Sequence, residues 1–253
     1  FLGMKLTFND DKSVKIDMKD YVSEAIVDFN EDVLIPATTP AKKNLFELDK
    51  DSPVLGKIKA ERFHSIVAKL LYISKRGRLD IQLAVAFLCT RVSCCTEQDW
   101  SKLSRVLQYL QRTIDEYLVL GADSVTSLKT WVDAAYGVHH DMKSHTGGAM
   151  SFGRGAIMCK SSKQKLNTKS STEAEVVGAS DYLPNTIWAK MFLAAQGYEV
   201  VDNLFFQDNQ SAMKLEINGR ASCGQKSRHI DIRYFFMKDR LKTERIRVTY
   251  CPT

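Results

Sequence analysis

The sequence predicts a chain in two parts: a mostly helical region, then a mixed α/β sheet with helices packed against it. Three observations lead there. From Glu61 to Arg112, apolar residues return every three or four positions, as on helices buried along one face. Near Gly121 that character changes. Beyond it the order reads strand, hairpin, helix, strand, helices, strand, the pattern of a sheet covered by helices. A length of 253 residues suits one large or two small domains, and the boundary is expected near residue 122.

Taken in order, residues 1–20 read as a hairpin turning at Asn9-Asp10-Asp11-Lys12, with Val14 and Ile16 alternating on the return strand. A short helix is expected over Val22–Phe29, then a connector rich in Pro and Thr around Pro36–Pro40. Three helices follow, on Phe63, Ile66, Val67 and Leu70, on Ile81, Val85 and Leu88, and on Leu103, Val106, Leu107 and Leu110. They carry no nucleophile or acid–base group.

In the second part, "LKTWVDAAYG" (128–137) reads as a strand ending in an acid. "GGAMSFGRGAIMCKSSKQ" (147–164) reads as a hairpin turning at Gly153-Arg154-Gly155. A helix opens in "NTKSSTEAEVVGASDYL" (167–183), capped by Ser171 or Thr172, and Pro184 should kink or end it. "NLFFQDNQSAMKLEI" (203–217) is strand-to-helix, followed by a helix over Ile230–Leu241 and a last strand at 245–250. Both ends read as cut, as in a fragment.

Hydrophobic content of 44% and charged content of 26% are those of an ordinary globular protein. There is no apolar run of membrane length and no signal-like start. The six cysteines lack C-x-x-C pairing and read as reduced thiols of an intracellular protein. The net charge of +6 is unevenly spread: from Met142 to Thr172 there are six basic residues and no acid, and Arg220, Lys226, Arg228 and Arg233 form a second basic group. Two such stretches flanking isolated acids suggest a polyanion surface.

Three acids stand out. Asp133 follows an apolar strand, and Asp208 follows Leu204-Phe205-Phe206. Alone, either reads equally as a turn residue or an N-cap. Glu173 belongs to the first helical turn, where it suits the dipole. Glu175 lies about 200° around the helix from it, on the face shared with Ala179, Tyr182 and Leu183 that should meet the sheet. A carboxylate beside a buried face is costly unless a positive group meets it, and a metal ion would. Strand-end aspartates with a helix glutamate make a natural site for hard, oxygen-seeking Mg²⁺. Two such ions can activate water and stabilise the leaving 3′ oxygen in phosphodiester hydrolysis. His139, His140 and His145 lack the spacing of a zinc site and read as loop histidines.

The segments "WVDAAYG", "KSSKQKLNTKSSTEAE", "FQDNQSA" and "KSRHIDIRYFF" resemble the C-terminal part of the Ty1/copia-type retrotransposon Pol polyprotein. "FLGMKL", "FHSIVAKLLYISKRGRLDI" and "LSRVLQYLQRT" extend the resemblance over nearly the whole chain. It departs at Leu79 where the family has "RPD", at Phe235 where it often has His, and at Ala68 where Gly is frequent; none of these is a proposed ligand.

The resemblance implies that residues 1–121 are the end of a reverse transcriptase, with a palm-end hairpin and thumb or connection helices. Residues 122–253 would be a ribonuclease H-like α/β domain, a mixed β-sheet with flanking helices. Asp133, Glu175 and Asp208 would be its catalytic metal ligands, holding two Mg²⁺ or Mn²⁺ ions, with Asp133 the better bridge. Asp231 is an additional candidate, read chiefly as structural or substrate-facing, and the family's fourth carboxylate is expected beyond Thr253. The implied activity is endonucleolytic hydrolysis of the RNA strand of RNA–DNA hybrids during reverse transcription; the alternative is an inactive nucleic-acid-binding remnant.

Lys160, Lys163, Lys165, Lys169 and Arg228 are candidates for phosphate-backbone contacts. Ser171, Asn209 and Gln210 are candidates for reading 2′-hydroxyls. The implied partners are RNA–DNA hybrid, RNA, DNA, and the upstream fingers and palm and the integrase of the same polyprotein, with no membrane. The implied location is the cytoplasm, in virus-like particles, with access to the nucleus. Phe8-Asn9-Asp10-Asp11 imitates a polymerase Y-x-D-D but lies on the wrong side of the "LG" strand, so it reads as turn chemistry and the polymerase aspartates are not expected here.

Overall fold

The computed structural model describes residues 1–30, 35–219 and 228–252, without the side chains at 228–231 and 234. These fall into two compact units, Phe1–Leu120 and Gly121–Thr253.

In the first unit, β1 (Lys5–Phe8) and β2 (Val14–Asp17) form an antiparallel hairpin, and β2 pairs in turn with the start of β3 (Leu118–Ala122). The hairpin tip is turn chemistry. Asp11 accepts from the Ser13 amide and hydroxyl at 2.9 and 2.5 Å, and Lys12 takes the left-handed conformation. Four helices follow: α1 (Lys19–Phe29), α2 (Lys57–Ser74), α3 (Gln82–Cys89) and α4 (Glu97–Arg112), with a 3₁₀ turn at Leu79–Ile81 leading into α3. The apolar stripes meet in one core, where Phe29 stacks on Trp100 at 4.7 Å.

Helix α4 starts at a reciprocal capping box between Thr96 and Asp99. The Asp99 side chain is fully buried and also takes the Arg91 guanidinium at 3.1 Å. Arg78, almost wholly buried, binds Asp80 and donates to the Thr113 carbonyl at 2.9 Å. It ties the α2–α3 turn to the end of α4 whether or not a proline stands at 79.

The second unit is built on β4 (Ser127–Ala135), β5 (His145–Ser151), β7 (Met158–Lys163), β8 (Asp202–Gln207) and β9 (Arg247–Tyr250). Their order in the sheet is β7-β5-β4-β8-β9. The first three run antiparallel; β4, β8 and β9 run parallel to one another. The long helix α5 (Ser171–Ala195) crosses from β7 to β8 and lies on β4 and β5. Helices α6 (Gln210–Asn218) and α7 (Arg228–Thr243) connect β8 to β9. A mixed sheet in this order with flanking helices is the ribonuclease H-like fold.

Tyr182 of α5 sits directly on Gly148 of β5, where an added Cβ would stand 2.3 Å from the ring. Leu128, Val132, Met150, Leu183 and Phe205 complete the core around it. Among the described residues no helix is long and apolar enough to cross a membrane.

Several local expectations need correction. The cap of α5 is Ser170, one residue earlier than expected. Its side chain accepts from the Glu173 amide at 3.1 Å, while Glu173 reaches back to the Lys169 amide at 2.7 Å. The helix also runs through Pro184 to Ala195. Leu183 and Thr186 are buried, and Thr186 meets Thr130 of β4 at 3.1 Å, so sheet packing holds the turn that lacks one amide donor. The hairpin connection is wider than three residues. Met150 pairs with Met158, while Gly153-Arg154 forms a short strand, β6, against Gly121-Ala122. Asp133 lies inside β4, two residues before its end.

Candidate metal centre

The sheet order places β4 beside β8, so the C-terminal ends of two parallel strands lie next to each other with the first turns of α5 above them. Asp133, Glu175 and Asp208 come from these three elements, and a carboxylate oxygen from each lies within 4.8 Å of the others. They are separated by 42 and 33 residues in sequence, and topology alone brings them together.

Each acid is held differently. Asp133 is exposed and faces Gly147 across the β4–β5 pair, so no side chain stands opposite it. Asp208 is half-buried and is not the cap of α6. That role is taken by Asn209, whose Oδ1 accepts from the Ser211 and Ala212 amides at 3.0 Å each. Asp208 keeps its carboxylate for other work, and its Oδ1 is buried without a hydrogen-bond partner.

Glu175 is 5% exposed. Its Oε1 accepts from the Ala134 amide at 3.2 Å, and its Oε2 is buried without a partner. Burial first, then the charges of Asp133 and Asp208, push its carboxyl up to about 8 against resistance from the Ala134 amide. Three converging carboxylates, two with orphaned buried oxygens, are what a divalent cation with oxygen preference would satisfy. The residues present fit Mg²⁺ or Mn²⁺. Asp231 and Arg228 open α7, and their side chains lie outside the described residues.

The basic candidates are used unequally. Lys163 pairs with Asp141 at 2.8 Å, and Lys160 donates to the Asp181 carbonyl at 3.3 Å. Lys165 and Lys169 are exposed on the segment leading into α5. That segment is pinned by Gln164, whose Nε2 donates to Thr146 Oγ1 and to the Ala174 carbonyl, each at 2.9 Å. Ser171 and Gln210 are exposed at the starts of α5 and α6; Asn209 is committed to its cap.

His139 and His140 lie in the loop between β4 and β5, as expected, whereas His145 is a strand residue. His139 and His145 are buried, His145 opening β5, with His139 Nε2 and His145 Nδ1 3.0 Å apart and His145 Nε2 2.7 Å from Ser161 Oγ. Burial pushes both down to about 4, so both rings are neutral near pH 7.

Two polar residues beside the site escaped the sequence reading, Gln207 and Glu216. Their signal was periodicity. Gln207 alternates with the buried Asn203 and Phe205, and Glu216 lies four residues after the buried Ala212.

The chain is similar in sequence to several curated proteins. Along its full length it is 28% identical to the "Retrovirus-related Pol polyprotein from transposon TNT 1-94" of Nicotiana tabacum. It is 30% identical over 185 residues, 72% of its length, to a transposon Ty5-1 protein of Saccharomyces cerevisiae. It is 28% identical over 193 residues to the Pol polyprotein from transposon RE2 of Arabidopsis thaliana. The matched region is 19% of the tobacco polyprotein and 59% of the yeast protein. No protein-family model matches the chain. Among solved structures, RNase H1 from Halobacterium salinarum aligns with 50% of this chain and 86% of its own at 14% identity, with a TM-score of 0.33. The fold assignment rests on strand order and direction, not on that overlap.

Proposed function

The chain belongs to the Ty1/copia-type retrotransposon Pol polyproteins, and from that premise we propose that its second unit is a divalent-metal ribonuclease H that hydrolyses the RNA strand of RNA–DNA hybrids. The observation that carries the proposal is the convergence of Asp133, Glu175 and Asp208, two of which hold a buried oxygen without a hydrogen-bond partner. Two Mg²⁺ or Mn²⁺ ions there would supply Lewis acidity at the attacking and leaving oxygens of a phosphodiester.

The protein's part is positioning. Glu175 is fixed by the Ala134 amide to the strand that carries Asp133, so the two move as one body. Asp208 extends from the next strand, released from capping by Asn209. Asp133, the exposed member, is the group a bound phosphate would meet first and the better bridge between two ions. Lys165 and Lys169 approach the phosphate backbone without reading bases. Ser171 and Gln210, exposed at two helix starts beside the acids, are the candidates to recognise ribose 2′-hydroxyls. The first unit serves as the thumb and connection of a reverse transcriptase, acting with fingers, palm and integrase of the parent polyprotein in virus-like particles.

The test is incubation of an end-labelled RNA–DNA hybrid with the chain and its Asp133→Asn variant in Mg²⁺ or EDTA. Cuts confined to the RNA strand, dependent on Mg²⁺ and lost in the variant, are expected. Hybrid binding without cleavage by either protein would leave an inactive binding remnant and end the enzyme reading.

A further inference from the structure

The carboxylate cluster is backed by an amide whose hydrogen-bonding capacity is spent on the site. Gln207, the last residue of β8, is 1% exposed. Its Oε1 accepts from the amides of the two residues that follow, Asp208 at 3.0 Å and Asn209 at 3.2 Å. Only an oxygen can accept both, and this fixes which end of the side chain is the NH₂ group. The NH₂ end donates to Glu216 Oε1 of α6 at 3.4 Å. One side chain therefore clasps the turn bearing Asp208 to the helix that follows it.

Glu216 makes sense in that light. It is 0% exposed, its Oε1 takes the Gln207 amide, and its Oε2 is buried without a partner. For stability alone, an apolar side chain of similar volume would serve as well or better. A buried acceptor is useful there if, by holding the Gln207 NH₂, it keeps the amide oxygen from rotating off its two backbone donors.

We infer that Gln207 and Glu216 form a positioning pair that fixes the turn bearing Asp208 against α6, and thereby sets the placement of Asp208 in the centre and its affinity for divalent cations. The inference rests on the proposed metal centre and adds two residues to it. Neither touches the ion or the substrate. Outer groups that orient metal ligands typically cost about tenfold to a hundredfold in affinity when removed.

The experiment is Mn²⁺ titration of the full chain by calorimetry, with a urea denaturation curve for every variant. Gln207→Met and Glu216→Met should each weaken Mn²⁺ binding about tenfold or more. Glu216→Gln, which keeps the acceptor, should bind within about twofold of the parent, a rescue that a merely space-filling role would not need. The double variant with Met at both positions repacks the site as an apolar contact and should be the more stable control. Its affinity loss should match that of the single variants instead of multiplying them, as expected for two groups acting as one unit.

Asp133→Asn separates the two claims. If it abolishes Mn²⁺ binding while both single Met variants bind as the parent does, the positioning pair is refuted and the centre stands. If the parent binds no Mn²⁺, or Asp133→Asn leaves binding unchanged, the centre itself is refuted and the pair falls with it.

Discussion

Glu175→Gln should make the metal-free protein more stable above neutral pH and insensitive to Mg²⁺. In the folded state burial, with Asp133 and Asp208 nearby, carries the Glu175 carboxyl from 4.5 to about 8. The folded protein therefore holds a proton that the unfolded chain releases above 4.5. Between those values stability falls as pH rises, by about 1.4 kcal/mol per unit. The full shift would amount to about 5 kcal/mol; water penetration and relaxation around a cleft reduce this, and about 2–3 kcal/mol is expected at pH 8.

Glutamine is neutral and keeps an oxygen for the Ala134 amide, so the variant lacks this slope. In EDTA the two proteins should be equally stable at pH 4.5 and differ by about 2–3 kcal/mol in the variant's favour at pH 8. Glu216, pushed up to about 7 by burial, adds the same background to both proteins and cancels in the difference. Mg²⁺ should reverse the order, because at a hundred times its dissociation constant it stabilises the parent by about 2.7 kcal/mol and the variant hardly at all. Urea denaturation followed by circular dichroism at pH 4.5, 6.5 and 8 measures this. A variant less stable than the parent at pH 8 in EDTA, or equally stabilised by Mg²⁺, would refute the reasoning.

Other consequences are simpler to check. Gly148→Ala drives a methyl into the Tyr182 ring and should cost about 1–3 kcal/mol by urea denaturation. Ser170→Ala removes the α5 cap and should cost about 1 kcal/mol, read as a lower Tm. Asp99→Ala leaves Arg91 without its buried partner and opens the α4 capping box; about 3–5 kcal/mol is expected, with metal binding by the second unit unchanged in calorimetry. His139 and His145 stay neutral when folded, with values near 4 against 6.5. The unfolded chain binds more protons between those values, so their contribution is lost as pH falls from 6.5 through 4, and His145→Asn should flatten that part of the stability–pH curve.

Much of this was legible in sequence because it follows periodicity. The stripes on Phe63, Ile66 and Leu70 and on Leu103, Leu107 and Leu110 specified two buried helix faces, and both are buried. The separation of Glu173 from Glu175 was readable for the same reason: a helix turns about 100° per residue, and the acids face opposite ways. Asp208 was legible as the acid that follows an apolar strand, and Asp133 as an acid near a strand end, although β4 runs two residues past it.

The failures concern features that neighbours decide. Pro184 breaks a helix in isolation, but α5 is held by the sheet through Tyr182 and Thr186. His145 looks like a loop residue until β5 is known to start at it and His139 folds onto it. Gln207 and Glu216 carry no motif. Their role depends on one amide lying between the Asp208 turn and α6, a three-dimensional fact that alternation in β8 hints at without specifying.

The most direct test of the metal centre is diffraction from crystals grown with Mn²⁺, recorded at the manganese absorption edge. Anomalous density bonded to carboxylate oxygens of Asp133, Glu175 and Asp208 is the predicted result. Manganese bound elsewhere, with these three acids hydrogen-bonded among themselves, would contradict the account.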